Sequence, residues 1–225
     1  MMKAITRNTR TPIGVWGASG HALVVCSIIS MCGQHEVVGL IDDANPERKG
    51  EMLGGKLILG GREVLLDLKK RGIQHVALGL GHCSARVDIA GLLRENEFQI
   101  VTLVHPNAVI AESATLGEGT VVLAGAIIDP ECNVGRYAIV NNSAVICHES
   151  TIDDGVHICP GVSIGGKVRV GSCSWIGIGS CITDRVRIGA RSYIGAGSVV
   201  TKDIPGGSLA YGSPAKVVRR ISDAF

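Results

Sequence analysis

The sequence predicts two structural units, an α/β domain with a parallel sheet followed by a parallel β-helix. Before about residue 103, short aliphatic strands alternate with helical segments, the pattern of a parallel sheet covered by helices. After it, an aliphatic residue recurs at every sixth position, 17 times in succession. Glycine supplies 31 of the 225 residues, about twice the usual share, which suits many tight turns.

The first unit is predicted to span residues 12–103. Apolar runs predict four strands, and helical periodicity with start signals predicts three helices between them. The strands are expected at 13–17, 37–41, 76–80 and 99–103, and the helices at 20–32, 62–71 and 84–97. Alternating elements of this kind form a Rossmann-like domain. Residues 1–11 are polar and basic and are expected to form a flexible tail.

The second unit is predicted to span residues 104–204 and carries the six-residue repeat. Its aliphatic positions run from Val104 to Val200 and predict inward-facing side chains. Three units make a triangular coil of 18 residues, and successive coils stack at about 4.8 Å. Roughly five to six coils follow, so function must lie on the outer surface and its turns. Residues 205–225 are expected to form a C-terminal tail.

Composition excludes several functional classes. The net charge is +2 and aromatic residues make up 3%, which argues against a nucleic-acid partner. The eight cysteines form no C-x-x-C pair, so a zinc knuckle or a thioredoxin-type site is not expected. Neither a signal peptide nor a membrane-spanning run is apparent. We therefore expect a cytoplasmic protein with reduced thiols and no membrane partner.

A glycine-rich turn between the first strand and the first helix indicates a nucleotide site. Gly14, Gly17 and Gly20 are spaced by three, and N–H groups at a helix start attract phosphate. Because Val15 replaces the glycine of a dinucleotide fingerprint, a plain turn is the alternative. Asp42 and Asp43 end the second strand, where a ribose or base contact would fall. Aspartate pairs also begin turns, which is the alternative for them.

The pair His148-Glu149 is the strongest candidate for acid–base chemistry. His148 follows the inward-facing Ile146 by two residues, which predicts an outward turn. A neighbouring carboxylate favours the protonated imidazole and fixes its orientation. His148 is therefore predicted to act as a general base. Cys147 is an alternative nucleophile, although a cysteine beside a strand position more often packs.

Two broader patterns point to a cofactor on the β-helix. Aromatic rings at His157, Trp175, Tyr193 and Tyr211 are 18 residues apart and should stack on one face. They either contact a cofactor or pack an interface between subunits. Residues 161–225 hold nine basic and three acidic residues, whereas 101–160 hold one and seven. A basic C-terminal half suits a polyphosphorylated ligand.

The repeat resembles that of the left-handed β-helix acyltransferases. The front segments GASGHA at 17–22 and LIDD at 40–43 are similar to those of bacterial sugar acetyltransferases. This group includes bacillosamine and perosamine N-acetyltransferases and sialic acid O-acetyltransferases. CHES at 147–150 and GSPAK at 212–216 also match the family. The resemblance implies a left hand, against the usual crossover rule. It also implies a homotrimer with active sites between subunits.

The resemblance also implies roles for individual residues. His148 would be the catalytic base, with Glu149 tuning it. His157 would lie near acetyl-CoA, and the path of its pantetheine and adenine would be lined near Gly166, Ile178 and Ala196. The front domain would bind a nucleotide sugar through Gly17, Ser19, Gly20, His21, Asp42, Asp43 and Gly79. No metal is expected.

The function favoured at this point is acetyl transfer from acetyl-CoA to the amine of a nucleotide-linked 4-amino-4,6-dideoxy sugar. Such a step belongs to bacterial glycan biosynthesis, of lipopolysaccharide or capsule. One alternative is O-acetylation of sialic acid or another sugar hydroxyl. A zinc hydratase on the same prism would need three histidines, and the repeat region offers His148, His157 and, at its edge, His105. A non-catalytic nucleotide-sugar-binding trimer is the third alternative.

Overall fold

The computed structural model describes residues 10–221. Residues 1–9 of the expected N-terminal tail and 222–225 of the expected C-terminal tail lie outside these described residues. The first strand begins at Thr11, within the segment expected to be a tail. The fold class predicted from the sequence is confirmed, since an α/β domain precedes a parallel β-helix.

The front domain is a six-stranded sheet with helices on its faces. Its strand order is β3-β4-β2-β1-β5-β6, parallel except between β3 and β4. The elements are β1 Thr11–Trp16, α1 Gly20–Cys32, β2 His35–Ile41, β3 Met52–Leu53, β4 Lys56–Gly60, α2 Leu65–Lys70, β5 His75–Leu78, α3 Cys83–Glu95 and β6 Gln99–Ile100. Two 3₁₀ turns, Pro46–Arg48 and Arg62–Val64, complete the domain.

The β3–β4 hairpin is missing from the sequence prediction. Its turn is Gly54-Gly55, and both residues have positive φ, which is the chemistry of a two-residue hairpin turn. The hairpin does not follow from the sequence pattern, because β3 has only two residues and is too short to show a strand periodicity. The helix predicted over 62–71 is shorter than expected, since its first three residues form a 3₁₀ turn.

The β-helix contains 17 two-residue strands, and each places a predicted aliphatic residue inward. Strands 18 residues apart pair in parallel, as in Val121 with Ile139. The strands are β7 Leu103–Val104, β8 Val109–Ile110, β9 Thr115–Leu116, β10 Val121–Val122, β11 Ile127–Ile128, β12 Asn133–Val134, β13 Ile139–Val140, β14 Val145–Ile146, β15 Thr151–Ile152, β16 His157–Ile158, β17 Ser163–Ile164, β18 Arg169–Val170, β19 Trp175–Ile176, β20 Cys181–Ile182, β21 Arg187–Ile188, β22 Tyr193–Ile194 and β23 Val199–Val200.

These strands form the three sheets of a prism. The first sheet starts with β7, the second with β8 and the third with β9, and each takes every third strand after that. The inward aliphatic side chains form one continuous core that runs from Val122 to Ala210. Most turns use a residue with positive φ, often glycine, which lets the chain bend sharply at each corner.

The C-terminal segment changes the register and removes Tyr211 from the aromatic series. β24 Ser208–Gly212 and β25 Ala215–Arg220 form an antiparallel hairpin that extends the first sheet. Tyr193 pairs with Leu209, 16 residues later, and Ile204 likewise bridges to Ile188. The last coil is therefore two residues short. Tyr211 is displaced from the ladder as a result, and the prediction that it stacks below Tyr193 is wrong.

The front domain packs against the outer face of the first sheet. Helix α1 buries Ala22, Val25 and Ile28 in one cluster with outward residues of that sheet, among them Val121 and Ile139. The loop that follows β5 also adjoins the prism, since the Gly81 carbonyl lies 3.1 Å from Nδ1 of His157. In a triangular cross-section, the corner between the second and third sheets is the one opposite this contact.

Candidate active site

His148 and Glu149 occupy the turn between β14 and β15, at the corner between the second and third sheets. The His148 side chain is 58% exposed, and its Nδ1 lies 3.0 Å from Oε2 of Glu149. Because a carboxylate only accepts, Nδ1 carries the donated proton and Nε2 keeps its lone pair. This arrangement orients an exposed imidazole to take a proton through Nε2.

Neighbouring coils hold this pair in place. Lys167 Nζ lies 3.3 Å from Oε1 of Glu149. The hydrogen bond from His148, with that from Lys167, lowers the pKa of the Glu149 carboxyl. A Cβ on Gly166 would lie 2.8 Å from Nε2 of His148, so glycine is needed there for the ring to keep this position. Gly166, which the sequence predicts to line the path of acetyl-CoA, therefore lies beside His148.

Cys147 precedes this pair but does not have the character of a nucleophile. Burial raises the pKa of its thiol, with further contributions from nearby carboxylates. A thiol needs a lowered pKa to supply thiolate at neutral pH. The geometry therefore favours direct proton abstraction by His148 over a covalent route through Cys147.

A second candidate region is a cavity of about 400 Å³ at the carboxyl ends of β1 and β2. Its lining includes Gly17, Ser19, Asp42 and Asp43. Gly17 has φ 127°, and a Cβ there would lie 2.4 Å from the Gly79 carbonyl oxygen. Gly17 and Gly79 thus permit a close approach of two loops. Gly20, at the start of α1, has open space where a side chain would extend.

Both aspartates of this cavity are engaged by arginines. Arg48 Nη1 donates to Oδ2 of Asp42 at 2.8 Å. Arg62 donates to Asp43 through Nε and Nη2, and these hydrogen bonds lower the pKa of the Asp43 carboxyl. Sequence reasoning missed both arginines. No spacing rule links them to the aspartates, because they lie six and 19 residues further along the chain.

A third group of predicted residues lies in the junction between the front domain and the prism. His157 is 5% exposed, and its ring is 4.3 Å from Trp175 and 6.2 Å from His21 between centroids. Its Nδ1 is 3.1 Å from the Gly81 carbonyl, so Nδ1 is the donor. Nε2 then accepts from Asn141 Nδ2 at 3.2 Å. Both nitrogens of His157 therefore have protein partners.

A buried arginine joins the two units at this junction. Arg86 is 1% exposed and donates to five carbonyls. Two belong to the front domain and three to the prism, namely Leu80, Gly81, Tyr137, Gly155 and Val156. Among residues 10–221 no carboxylate pairs with it. Its charge is satisfied by carbonyl dipoles alone, which ties the front domain to two coils.

The junction makes stability depend on pH. Burial, followed by the charge of Arg86, lowers the pKa of His157 to about 3 and that of His21 to about 4. The unfolded chain therefore takes up these protons first as pH falls below about 6.5. We expect the free energy of unfolding to fall by about 2 kcal/mol per histidine between pH 7 and pH 5. Urea unfolding at both values, at fixed protein concentration, measures this loss.

His157→Gln should remove about half of that loss, because glutamine does not titrate. If His157→Gln keeps the full loss of stability between pH 7 and pH 5, His157 is not one of its sources.

The remaining predicted cofactor residues lie at a different corner from His148. Ile178 follows β19 and Ala196 follows β22, so both are in turns between the first and second sheets. Both are exposed, and the Gly197 amide donates to the Ile178 carbonyl at 2.8 Å. One chain therefore keeps His148, the cavity at Gly17 and this corner apart. Of the four predicted cofactor residues, Gly166 is the one that adjoins His148.

Across residues 10–221, no group of three or more His, Cys, Asp and Glu side chains is arranged to hold a metal ion. None of the helices within that part of the chain is both long and apolar enough to cross a bilayer.

Comparison with known proteins agrees with these features. The family described as PglD N-terminal domain matches residues 12–93, and the bacterial transferase hexapeptide family matches 167–202. A crystal structure of a perosamine N-acetyltransferase mutant from Caulobacter crescentus, with CoA and GDP-perosamine, is 32% identical. It covers 93% of this chain and 97% of its own, with a TM-score of 0.88.

Two curated proteins are also similar. GDP-perosamine N-acetyltransferase from Escherichia coli O157:H7 is 27% identical over 75% of this chain and 76% of its own. UDP-N-acetylbacillosamine N-acetyltransferase from Bacillus subtilis is 32% identical over 50% of this chain and 51% of its own. With its α/β front domain and its repeated parallel strands, the chain belongs to the hexapeptide-repeat sugar acetyltransferases, CoA-dependent enzymes with a left-handed β-helix that include the perosamine and bacillosamine N-acetyltransferases.

Proposed function

We propose that this enzyme transfers the acetyl group of acetyl-CoA to the amine of a nucleotide-linked 4-amino-4,6-dideoxy sugar. The observation that carries the proposal is the exposed imidazole of His148, which Glu149 orients through Nδ1. Two relatives are named GDP-perosamine N-acetyltransferase and UDP-N-acetylbacillosamine N-acetyltransferase, and N-acetylation favours an amine over a hydroxyl as acceptor. The cavity at Gly17 and Ser19 is the proposed site for the nucleotide.

The chemistry requires one proton acceptor and no covalent enzyme intermediate. The amine nitrogen attacks the thioester carbonyl carbon, a C–N bond forms, and the C–S bond breaks to release the CoA thiolate. His148 Nε2 takes the proton that the nitrogen loses. Glu149 stays anionic because its pKa is lowered, and so it stabilises the imidazolium that forms. CoA would run along the prism past Gly166, Ile178 and Ala196, with His157 supporting the domain junction.

The proposed assembly is a homotrimer with active sites between subunits. His148 is at the corner opposite the sheet that carries the front domain, so a base from one subunit would serve a nucleotide held by another. The outer face of the second sheet supports such an assembly, because Val109 and Ile127 leave apolar surface exposed there. Ile178, at its edge, extends this surface.

The proposed setting is the bacterial cytoplasm, in the synthesis of lipopolysaccharide or capsule glycans. All eight cysteines are free thiols, which suits a reducing compartment. Nucleotide sugars and acetyl-CoA are both charged substrates that a basic C-terminal half and a helix N-terminus accommodate.

A substrate panel tests the proposed function. Release of CoA thiol is measured with acetyl-CoA and GDP- or UDP-linked 4-amino-4,6-dideoxy sugars, and with free sialic acid. We expect turnover with at least one nucleotide-linked amino sugar and none with sialic acid. The matched 4-hydroxy nucleotide sugar is the control, since it differs only at the acceptor atom. Turnover on the hydroxy sugar or sialic acid alone would replace N-acetylation by O-acetylation.

A further inference from the structure

The carboxylate of Asp42 has little capacity left for a ligand. The residue is 6% exposed, and Arg48 Nη1 donates to its Oδ2 at 2.8 Å. Its Oδ1 accepts from the backbone N–H of Asn45 at 3.1 Å and from the Asn45 side chain at 3.3 Å. Oδ1 is engaged twice and Oδ2 once, so a ribose hydroxyl would have to share Oδ2 with Arg48. Asp42 is thus better placed to hold Arg48 than to bind a sugar.

Arg48 is held at the wall of the nucleotide cavity by three acceptors. Nη1 also donates to the Ala18 carbonyl at 3.0 Å, and Nε donates to Glu51 Oε2 at 3.0 Å. Within residues 10–221, no protein group accepts a hydrogen bond from Nη2. The side chain is 29% exposed and lines the cavity together with Ser19. Its orientation is fixed, and one nitrogen with two N–H donors is left for a ligand.

The surroundings of Arg48 favour an anion. The N-terminus of the 13-residue helix α1 opens beside Ala18, and no acidic side chain lies in its first turn. Ser19, the N-cap residue, makes no side-chain capping bond, and the space at Gly20 is open. The helix end contributes a partial positive charge. Arg48 faces two carboxylates, Asp42 and Glu51, and Arg62 faces Asp43, so the attraction for an anion comes from the free Nη2 donors and the helix end rather than from net charge.

We propose that Arg48 binds a phosphate of the nucleotide sugar through Nη2, with Asp42 as its positioning residue. The identity of this ligand rests on the proposed function. A guanidinium is the side chain best suited to phosphate, because its charge does not titrate and its planar donors are fixed. The diphosphate would lie between Arg48 and the start of α1. Asp42 would thus act on the nucleotide indirectly.

The test compares nucleosides with their diphosphates on Arg48→Gln. Binding of GDP, UDP, guanosine and uridine is measured by calorimetry, together with KM for the nucleotide sugar and for acetyl-CoA. We expect Arg48→Gln to bind the diphosphate about 10- to 100-fold more weakly, because a charged hydrogen bond is lost. Affinity for the nucleoside and KM for acetyl-CoA should not change. Arg48→Lys should recover part of the affinity, and Asp42→Asn should show a smaller loss of the same kind.

Lys49→Gln is the matched control, since it removes the same charge at the next residue, which is exposed and does not line this cavity. Equal weakening of nucleoside and diphosphate on Arg48→Gln overturns the assignment of a phosphate contact, as does unchanged affinity for GDP and UDP. A wild-type protein that binds these diphosphates but acetylates no amino sugar overturns the proposed function and leaves the role of Arg48 standing.

Discussion

Replacing His148 by alanine is expected to lower kcat by about 10²–10⁴-fold, the usual contribution of a general base. The substitution removes the only group at this corner that is oriented to accept the amine proton through a free nitrogen lone pair. Stability should change by less than about 0.5 kcal/mol, because the ring is largely exposed. Thiol release at saturating substrate concentrations measures kcat, and thermal unfolding measures stability.

Glu149→Gln measures the separate contribution of the carboxylate charge to the same kcat. It keeps the shape of the side chain but removes the charge that stabilises the imidazolium, so kcat falls less than in His148→Ala. The ring also loses the acceptor that orients Nδ1, so the loss should appear in kcat rather than in KM. His35→Ala, on β2 of the front domain, is a control that should keep full activity. Wild-type kcat in His148→Ala would disprove the assignment of the base.

Mixing two inactive variants is expected to restore activity. One variant is His148→Ala, and the other is Gly20→Asp, which places a negative charge at the start of α1. The aspartate should fold well there, because the space is open and a carboxylate suits a helix N-terminus. It should repel the diphosphate from the same place. In the proposed trimer, any assembly that contains both variants has one site in three that combines an intact cavity from one subunit with an intact His148 from its neighbour.

The variants are co-expressed with different tags, and trimers that carry both tags are isolated before thiol release is measured. Each variant alone is the control and should be almost inactive. If each subunit used its own base, no combination of these two chains would contain a complete site. Activity of the mixed trimers no higher than that of either parent would therefore exclude sites shared between subunits.

The sequence predicted local features well and longer-range ones poorly. Six-residue periodicity placed every strand from β7 to β23, because each side chain faces inward by the geometry of its own strand and turn. The same rule wrongly placed Tyr211, since the last coil is two residues short. The two arginines of the nucleotide cavity were missed, because their pairing with Asp42 and Asp43 depends on how the following loops fold back.

The residues of the candidate site also differ in whether the sequence alone could locate them. His148-Glu149 could be found from the sequence because adjacent residues in an outward turn must share one corner. The surroundings of His157 could not, because its partners belong to another part of the chain. Gly81 is 76 residues away, and the Arg86 that shares this carbonyl also binds Val156, 70 residues further on.

The sequence by itself therefore determined the prism, its inward core and the outward position of His148, since a repeat of six fixes the direction of each side chain locally. Only the tertiary structure decided which face of the prism carries the front domain. That choice comes from packing α1 against Val121 and Ile139 and from burying Arg86 among carbonyls of both units. It buries His157 and separates the nucleotide cavity from His148, because these contacts join segments that no local pattern relates.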